Sequence, residues 1–372
     1  LLWMSFMLDM TLSGGAPWSF HLANVILFSL TAGLIFLLVR RWTGQVGVAM
    51  AAALLWAIHP TRVESVAWIS ERKDVLSGLF FLLGLWFYTR AHDAGEGGNS
   101  SSPLRSRSTP IVLTWLCMLL GGMAKPIVMV MPVSLVLLDV WPLGRTDWTR
   151  IGRDIRGLVV EKWAFWSLGI LLAWLAFQTQ AGENAVASVP AGHRMAMIPI
   201  HYLFYLQKLV WPTALAPLQP DLPLLWWKMN VGLDVLVGVT ILLWLFRIGA
   251  PWALWGWLWF VGLLFPLSGV VWAGLESVPL RFLYLPQIGL TLVVVMALAE
   301  LGRKFRAGRR WVQALLVVLL LVCSDITLRT LSNWRDQNAF GLWIWECHPQ
   351  QGNACAIGGD AYMALGKWAD AM

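Results

Sequence analysis

Ten apolar runs divide the chain, at 21–39, 44–58, 74–90, 110–124, 126–141, 163–178, 231–247, 251–269, 282–300 and 311–328. Each approaches the roughly 20 residues that a helix needs to cross a hydrocarbon layer about 30 Å thick. Lipid offers the backbone no hydrogen-bond partners, so such runs must satisfy their N–H and C=O groups internally, as helices do. Composition agrees. The 372 residues are 58% hydrophobic and 13% charged, with 26 Trp and 16 Phe, whereas an ordinary soluble domain carries about 25% charge. Too little polar surface remains to face water, and the expectation is an all-α, polytopic membrane protein of about ten spans. The run 195–211, with Tyr202, Tyr205, Gln207 and Lys208, suits a helix lying in the interface better than a crossing.

The formal charge of +7 comes in short basic clusters between apolar runs, a pattern that orients membrane helices; binding of nucleic acid is not expected. Most of the 27 Lys and Arg fall in the loops after the odd-numbered runs, among them Arg40, Arg41, Arg90, Arg145, Arg153 and Arg303. Those loops are expected in the cytoplasm. No Asp, Glu, Lys or Arg lies near the middle of a run, which argues against an ion-coupled transporter. HExxH, CxxC and Walker patterns are missing as well, so zinc-peptidase and nucleotide-driven chemistry have no anchor. Of four cysteines, Cys117 and Cys323 sit inside apolar runs, which rules out a disulfide framework; Cys347 and Cys355 are read either as a pair or as two free thiols on a helical hairpin.

Boundaries follow from composition. Residues 1–20 read as the remnant of a first external loop, 21–328 as the membrane domain, and 329–372 as an external linker with the start of a repeat. The chain opens without Met and without a basic leader flank, as expected of an internal piece of something longer. Residues 91–109, with Gly95, Gly97 and Gly98, form a flexible linker, and 145–162 a basic surface helix. In the tail, Gly359, Tyr362, Gly366 and Ala371 fall at the offsets of the first helix and turn of a tetratricopeptide repeat, with Pro349 where a preceding repeat would end. One partial repeat cannot bury its own apolar face, so further repeats are expected.

The segment His59 to Asp74, between the second and third runs, is the most polar stretch of the first 90 residues. Taken as one helix begun after Pro60, it sets Thr61, Glu64, Trp68, Glu71 and Arg72 on one face, as for a helix lying in the interface. Its acids and bases nearly cancel, which points to a built polar site or to an ion-paired staple between two spans. Lys125, beside Pro126 at a hairpin tip, is an isolated cation that needs an anion or water. Arg281 and Tyr284 open the ninth run, and an arginine there can hold a phosphate bidentately.

The block His59-Pro60-x-Arg62-Val63-Glu64-Ser65-Val66-Ala67-Trp68-Ile69-Ser70-x-Arg72-x-Asp74-Val75-Leu76-Ser77 resembles the signature of the transmembrane and tetratricopeptide repeat-containing family and its bacterial relatives. That family is itself similar to protein O-mannosyltransferases of the GT-C glycosyltransferase class. Supporting pieces are Ser5 to Asp9 followed by His21-x-x-Asn24, Lys125-Pro126, Leu138-Asp139-x-Trp141-Pro142-Leu143, Arg281-Phe282-x-Tyr284-Leu285-Pro286 and Asn333-Trp334-Arg335-Asp336. Relatives often carry an acid just before the arginine of the fourth piece; here Leu280 stands there, and Glu276 is the nearest substitute.

The resemblance implies an enzyme that moves a sugar, usually mannose, from a polyprenyl-phosphate membrane lipid to Ser or Thr hydroxyls on the outer face, with the repeats holding the acceptor protein. It implies a bacterial inner membrane, or the endoplasmic reticulum in a eukaryote. It names no cofactor and leaves a divalent metal open. The acceptor-activating carboxylate is expected upstream of Leu1; Asp9 is the one acid in residues 1–20, in an apolar setting that suits packing. An oxocarbenium-like transition state needs a carboxylate for the hydroxyl proton and cations for the departing phosphate. On that basis Arg72, Lys73, Lys125 and Arg281 are the phosphate candidates, and Glu64 and Asp74 the catalytic carboxylates beside Asp9. His59, Trp68, Glu71 and Tyr284 are candidates for contact with sugar or lipid. The rival readings are a non-catalytic membrane scaffold and, further off, a lipid or polysaccharide transporter.

Overall fold

A computed structural model describes residues 1–93, 103–182, 190–217, 219, 222–270, 278–305, 308–350 and 352–366. The architecture is all-α. In chain order the helices are α1 (Leu2–Ser13), α2 (Pro17–Thr43), α3 (Val46–Ile58), α4 (Val63–Ala67), α5 (Arg72–Asp93), α6 (Pro103–Ala124), α7 (Met131–Val140) and α8 (Ile151–Glu161). They continue with α9 (Trp163–Gly182), α10 (Ala191–Val210), α11 (Trp226–Leu245), α12 (Pro251–Leu264), α13 (Gln287–Lys304), α14 (Gly308–Ser332), α15 (Gln337–Cys347) and α16 (Gly352–Ala364). Each of the ten apolar runs is helical. Boundaries sit where the chemistry puts them: Gly14 closes α1 in the left-handed conformation and Pro17 opens α2 at its first turn, where a missing N–H costs nothing.

Among the described residues three helices are long and apolar enough to cross a membrane, α2, α11 and α14; if two bent pairs, Val46–Ile58 with Pro60–Ala67 and Ile151–Glu161 with Trp163–Thr179, each make one span, the number is five. Three further apolar segments, Ser108–Ala124, Pro126–Val140 and Pro251–Leu267, are shorter. The fifth run is split into a 3-10 turn, Pro126–Val130, and the ten residues of α7, about 15 Å of helix. The run 195–211 forms a single helix, α10.

The core lies where α3, α5, α7, α12 and α13 meet, around Trp56, Phe81, Met131, Trp255 and Trp259. Packing there depends on small residues at crossings. A Cβ on Gly289 would stand 2.4 Å from the Gly256 carbonyl oxygen, so α12 and α13 approach backbone to backbone, as helices do when no side chain intervenes.

Charge separates the two ends of the bundle. At one end Arg41 and Arg90 flank the Trp86 ring, and a buried knot closes the turn after α7. There Asp139 accepts from Tyr88 Oη at 2.8 Å, Arg145 Nη1 at 3.0 Å and Lys162 Nζ at 2.5 Å. Every polar group of the knot has a partner, so it fastens α5, α7 and α9 together. The opposite end holds the segment after α3, the Lys125 turn and the Arg281 turn. The tail forms a helical hairpin in which Gly358 admits the Trp345 ring and Trp345 meets Tyr362 edge-on at 5.6 Å. Cys347 and Cys355 are free thiols. Of the expected 91–109 linker, residues 91–93 end α5 and 103–109 begin α6, because the helices extend past their apolar runs; Gly95, Gly97, Gly98, Glu276 and Ala371 lie outside the described residues.

Candidate functional site

The stretch from His59 to Glu71 is not one surface helix. It folds as a 3-10 turn, Pro60–Arg62, the short α4, an extended Trp68 (φ −79°, ψ 109°), and a second 3-10 turn, Ile69–Glu71. The breaks turn Thr61, Arg62, Glu64, Ser65, Glu71, Arg72 and Asp74 inward, all buried. A straight helix would have left these polar groups beside lipid; the folded form gives most of them partners on other loops.

Three segments far apart in sequence converge on this fold. Pro126 disfavours a helical backbone at the residue before it, and Lys125 is extended (φ −153°, ψ 131°), which ends α6 and aims its ammonium at Asp74. The 3-10 turn Leu280–Leu283 brings in Arg281. Arg281 Nη1 lies 2.5 Å from Glu64 Oε1, its Nε lies 3.4 Å from Glu71 Oε1, and its backbone N–H donates to Glu64 Oε2 at 3.2 Å. Lys73 Nζ approaches Glu71 Oε1 at 3.1 Å. The cluster thus contains Glu64, Glu71 and Asp74 against Lys73, Lys125 and Arg281, and its formal charge cancels. One oxygen of Glu71 and one of Asp74 accept no hydrogen bond. Burial pushes the Glu71 carboxyl up, but Lys125, Arg281 and Lys73 outweigh it and hold the group below the ordinary carboxylate range.

Aromatic rings frame the cations. Arg281 lies over Trp68 at 5.5 Å, Lys125 over Phe282 at 5.5 Å, and Trp68 meets Trp334 at 6.1 Å. Asp74, Lys125, Arg281, Phe282 and Tyr284 line one narrow cleft. Tyr284 is held behind it: its carbonyl accepts from Trp56 Nε1 at 3.0 Å, and its ring fills the space that Gly78 leaves open on α5.

Three expected site residues, Arg72, Asp9 and His59, stand elsewhere. Arg72 is fully buried and points away from the cleft. It meets Asp9 at 2.5 Å, and donates to Asn24 Oδ1 at 2.8 Å, the Phe20 carbonyl at 2.9 Å and the Ser5 carbonyl at 3.2 Å. This arrangement ties α1 and α2 to the start of α5, so Asp9 and Arg72 form a pair outside the cleft. His59 has both ring nitrogens engaged, one with Thr61 Oγ1 at 2.8 Å and one with the Leu209 carbonyl at 3.2 Å. Among the described residues no three His, Cys, Asp or Glu side chains gather as a metal site.

Comparison with known proteins adds a direction. Protein O-mannosyl-transferase tmtc2 of Xenopus laevis is 41% identical over 99 residues, 27% of this chain and 12% of that protein. Protein O-mannosyl-transferase TMTC1 of Mus musculus is 42% identical over 96 residues, 26% of this chain and 10% of that protein. The resemblance to the TMTC proteins holds. TMTC3 of Mus musculus, also named a protein O-mannosyl-transferase, is 34% identical over 122 residues, 33% of this chain and 12% of that protein. The matches thus span 10 to 12% of the length of these TMTC relatives. No protein-family model and no solved structure matches the chain.

Proposed function

We propose that this chain is the donor-handling part of a membrane glycosyltransferase of GT-C type. It takes a sugar, mannose by analogy with its relatives, from a polyprenyl-phosphate lipid and transfers it to a protein Ser or Thr hydroxyl. The observation that carries this reading is the convergence of Lys73, Lys125 and Arg281 on one buried carboxylate cluster, from loops separated by tens to hundreds of residues. A staple between two adjacent spans needs only neighbouring charges. In this reading the donor phosphate enters the cleft and takes Lys125 and Arg281 from their carboxylates. The acceptor oxygen attacks the anomeric carbon, the bond from that carbon to the phosphate oxygen breaks, and the hydroxyl proton passes to a carboxylate.

An upstream acid is the first choice for that base. Glu64, Glu71 and Asp74 orient the cations, and Asp74, which lines the cleft, has one oxygen without a partner for an incoming hydroxyl. Trp68 offers a ring for the sugar. In this reading this end lies outside and the basic end in the cytoplasm, in a bacterial inner membrane, and the α15–α16 hairpin begins an external repeat array for the acceptor protein. No cofactor is invoked.

One observation favours the scaffold reading: every cation of the cluster is already paired, and the cleft has about 10 Å³ for a water's centre, room for one water. Transfer assays separate the two. Membranes carrying the full-length protein are given polyprenyl-phosphate mannose and an acceptor polypeptide. Lys125→Ala or Glu64→Ala is expected to lower transfer about 100-fold, the usual cost of removing one group that stabilises transition-state charge. A scaffold shows no transfer in the unsubstituted protein while still binding partners.

A further inference from the structure

A second cavity lies at the same end of the bundle, between α2, α4 and α14. It is an open trough of about 560 Å³, walled mainly by Val25, Phe28, Val63, Val66 and Leu331. No acidic side chain lines it. Its inner wall includes Arg62, only 2% exposed. Nη2 of Arg62 donates to Gln287 Oε1 at 2.7 Å and Thr61 Oγ1 at 3.1 Å, while Nε and Nη1 donate to nothing. The guanidinium lies over the Trp56 and Tyr284 rings, at 5.4 and 5.3 Å. Among the described residues, no carboxylate pairs with it.

Asp74 and Glu64 act on the guanidinium from a distance, but a buried cation with no anion in direct contact is costly, and a ligand can supply the missing charge. Two walls of the trough, α2 and α14, are each long and apolar enough to cross a membrane, and Val25 and Leu331 on them are about half exposed. The trough therefore opens sideways toward hydrocarbon, so its ligand arrives from the bilayer. His21 and Arg335 lie on the rim, Arg335 beside Asp336 at 2.9 Å. From the two unpaired guanidinium nitrogens, the apolar walls and this lateral opening, we infer that the trough binds an anionic membrane phospholipid, with its phosphate drawn to Arg62 and an acyl chain along α2 and α14. The site is separate from the donor cleft, which Arg62 does not line, and the inference stands whether or not the chain transfers sugar.

The test measures phosphatidylglycerol bound by the full chain, by native mass spectrometry from nanodiscs and by titration into detergent. One lipid per chain is expected. Arg62→Gln is expected to weaken it about tenfold, the loss of one charge-assisted contact. Leu331→Trp, a change at an exposed position that fills the trough, should weaken it similarly and keeps the test informative if the Arg62 variant does not fold. Diacylglycerol, without phosphate, and glycerol phosphate, without chains, should each fail to compete. Equal binding by Leu331→Trp and the unsubstituted chain overturns the inference, as does competition by glycerol phosphate alone. Displacement of the lipid one for one by polyprenyl-phosphate mannose also overturns it, because the trough would then belong to the donor.

Discussion

Arg281 Nη1 lies 2.5 Å from Glu64 Oε1 although 217 residues separate the two in the chain. Both side chains are largely buried, at 15 and 4% exposure, so the pair joins the start of the membrane domain to its ninth apolar run at a place where water screens little. Removing one partner of such a pair strands a charge, at a cost of about 3 to 5 kcal/mol. Glu64→Ala is expected to lower unfolding stability in detergent by about that amount. The double substitution Glu64→Met with Arg281→Met should cost less than the sum of the singles. Additive losses would mean that the two groups do not interact.

Arg72 is read here as a structural clasp. Lysine keeps the charge but not the planar fork that serves Asp9, Asn24 and two backbone carbonyls at once. Arg72→Lys is therefore expected to reduce stability by about 2 to 4 kcal/mol, measured by chemical denaturation, while leaving donor affinity in the surviving folded protein unchanged. A stable variant with weakened donor binding would put Arg72 back in the cleft.

Glu71 gives the cluster a pH signature. Its carboxyl is held low in the folded state, so the unfolded chain takes up a proton first as pH falls. The stability it contributes is complete above the ordinary carboxylate value and is lost as pH drops through the depressed folded-state value. The loss should appear only on the acid side, below the ordinary carboxylate range, as a falling melting temperature. Glu71→Gln should flatten that part of the profile, and an unchanged slope would show that Glu71 is not held by its cations.

Gly78 holds space for Tyr284. A methyl group there would stand 2.5 Å from Tyr284 Cε1, so Gly78→Ala must displace the ring that backs the cleft. An overpacking cost of about 1 to 3 kcal/mol is expected, read from the thermal midpoint. Adding Tyr284→Ala should recover part of it, because the clash disappears with the ring.

The helices were legible because ten apolar runs admit little else in a membrane. The meeting of Lys73, Lys125 and Arg281 was legible too, through their shared place in loops at one end of the bundle. Side-chain direction was not. Periodicity from Pro60 onward predicted a continuous helix, since local pattern cannot register that Trp68 turns extended when Glu64, Glu71 and Asp74 find partners on distant loops. Arg72 and Arg62 look alike in sequence, each a basic residue in a polar motif. Arg72 pairs with Asp9, whereas among the described residues no carboxylate makes direct contact with Arg62, and only tertiary contact distinguishes them. The Asp139 knot was visible as a motif, but its partners Tyr88 and Lys162 lie 51 and 23 residues away, beyond the reach of spacing. The ten-run count overstated what single helices can span, because Pro126 and Pro132 fall in or beside a 3-10 turn and leave α7 only ten residues.

The central claim is that Lys125 and Arg281 together receive one lipid phosphate. The direct measurement is the affinity of the full-length protein in nanodiscs for polyprenyl-phosphate mannose, in the unsubstituted form and with Lys125→Ala and Arg281→Ala. Each substitution is expected to weaken binding about 10- to 100-fold, the worth of a charge-assisted contact in a partly buried site. Affinities that stay equal across all three folded proteins would contradict the account.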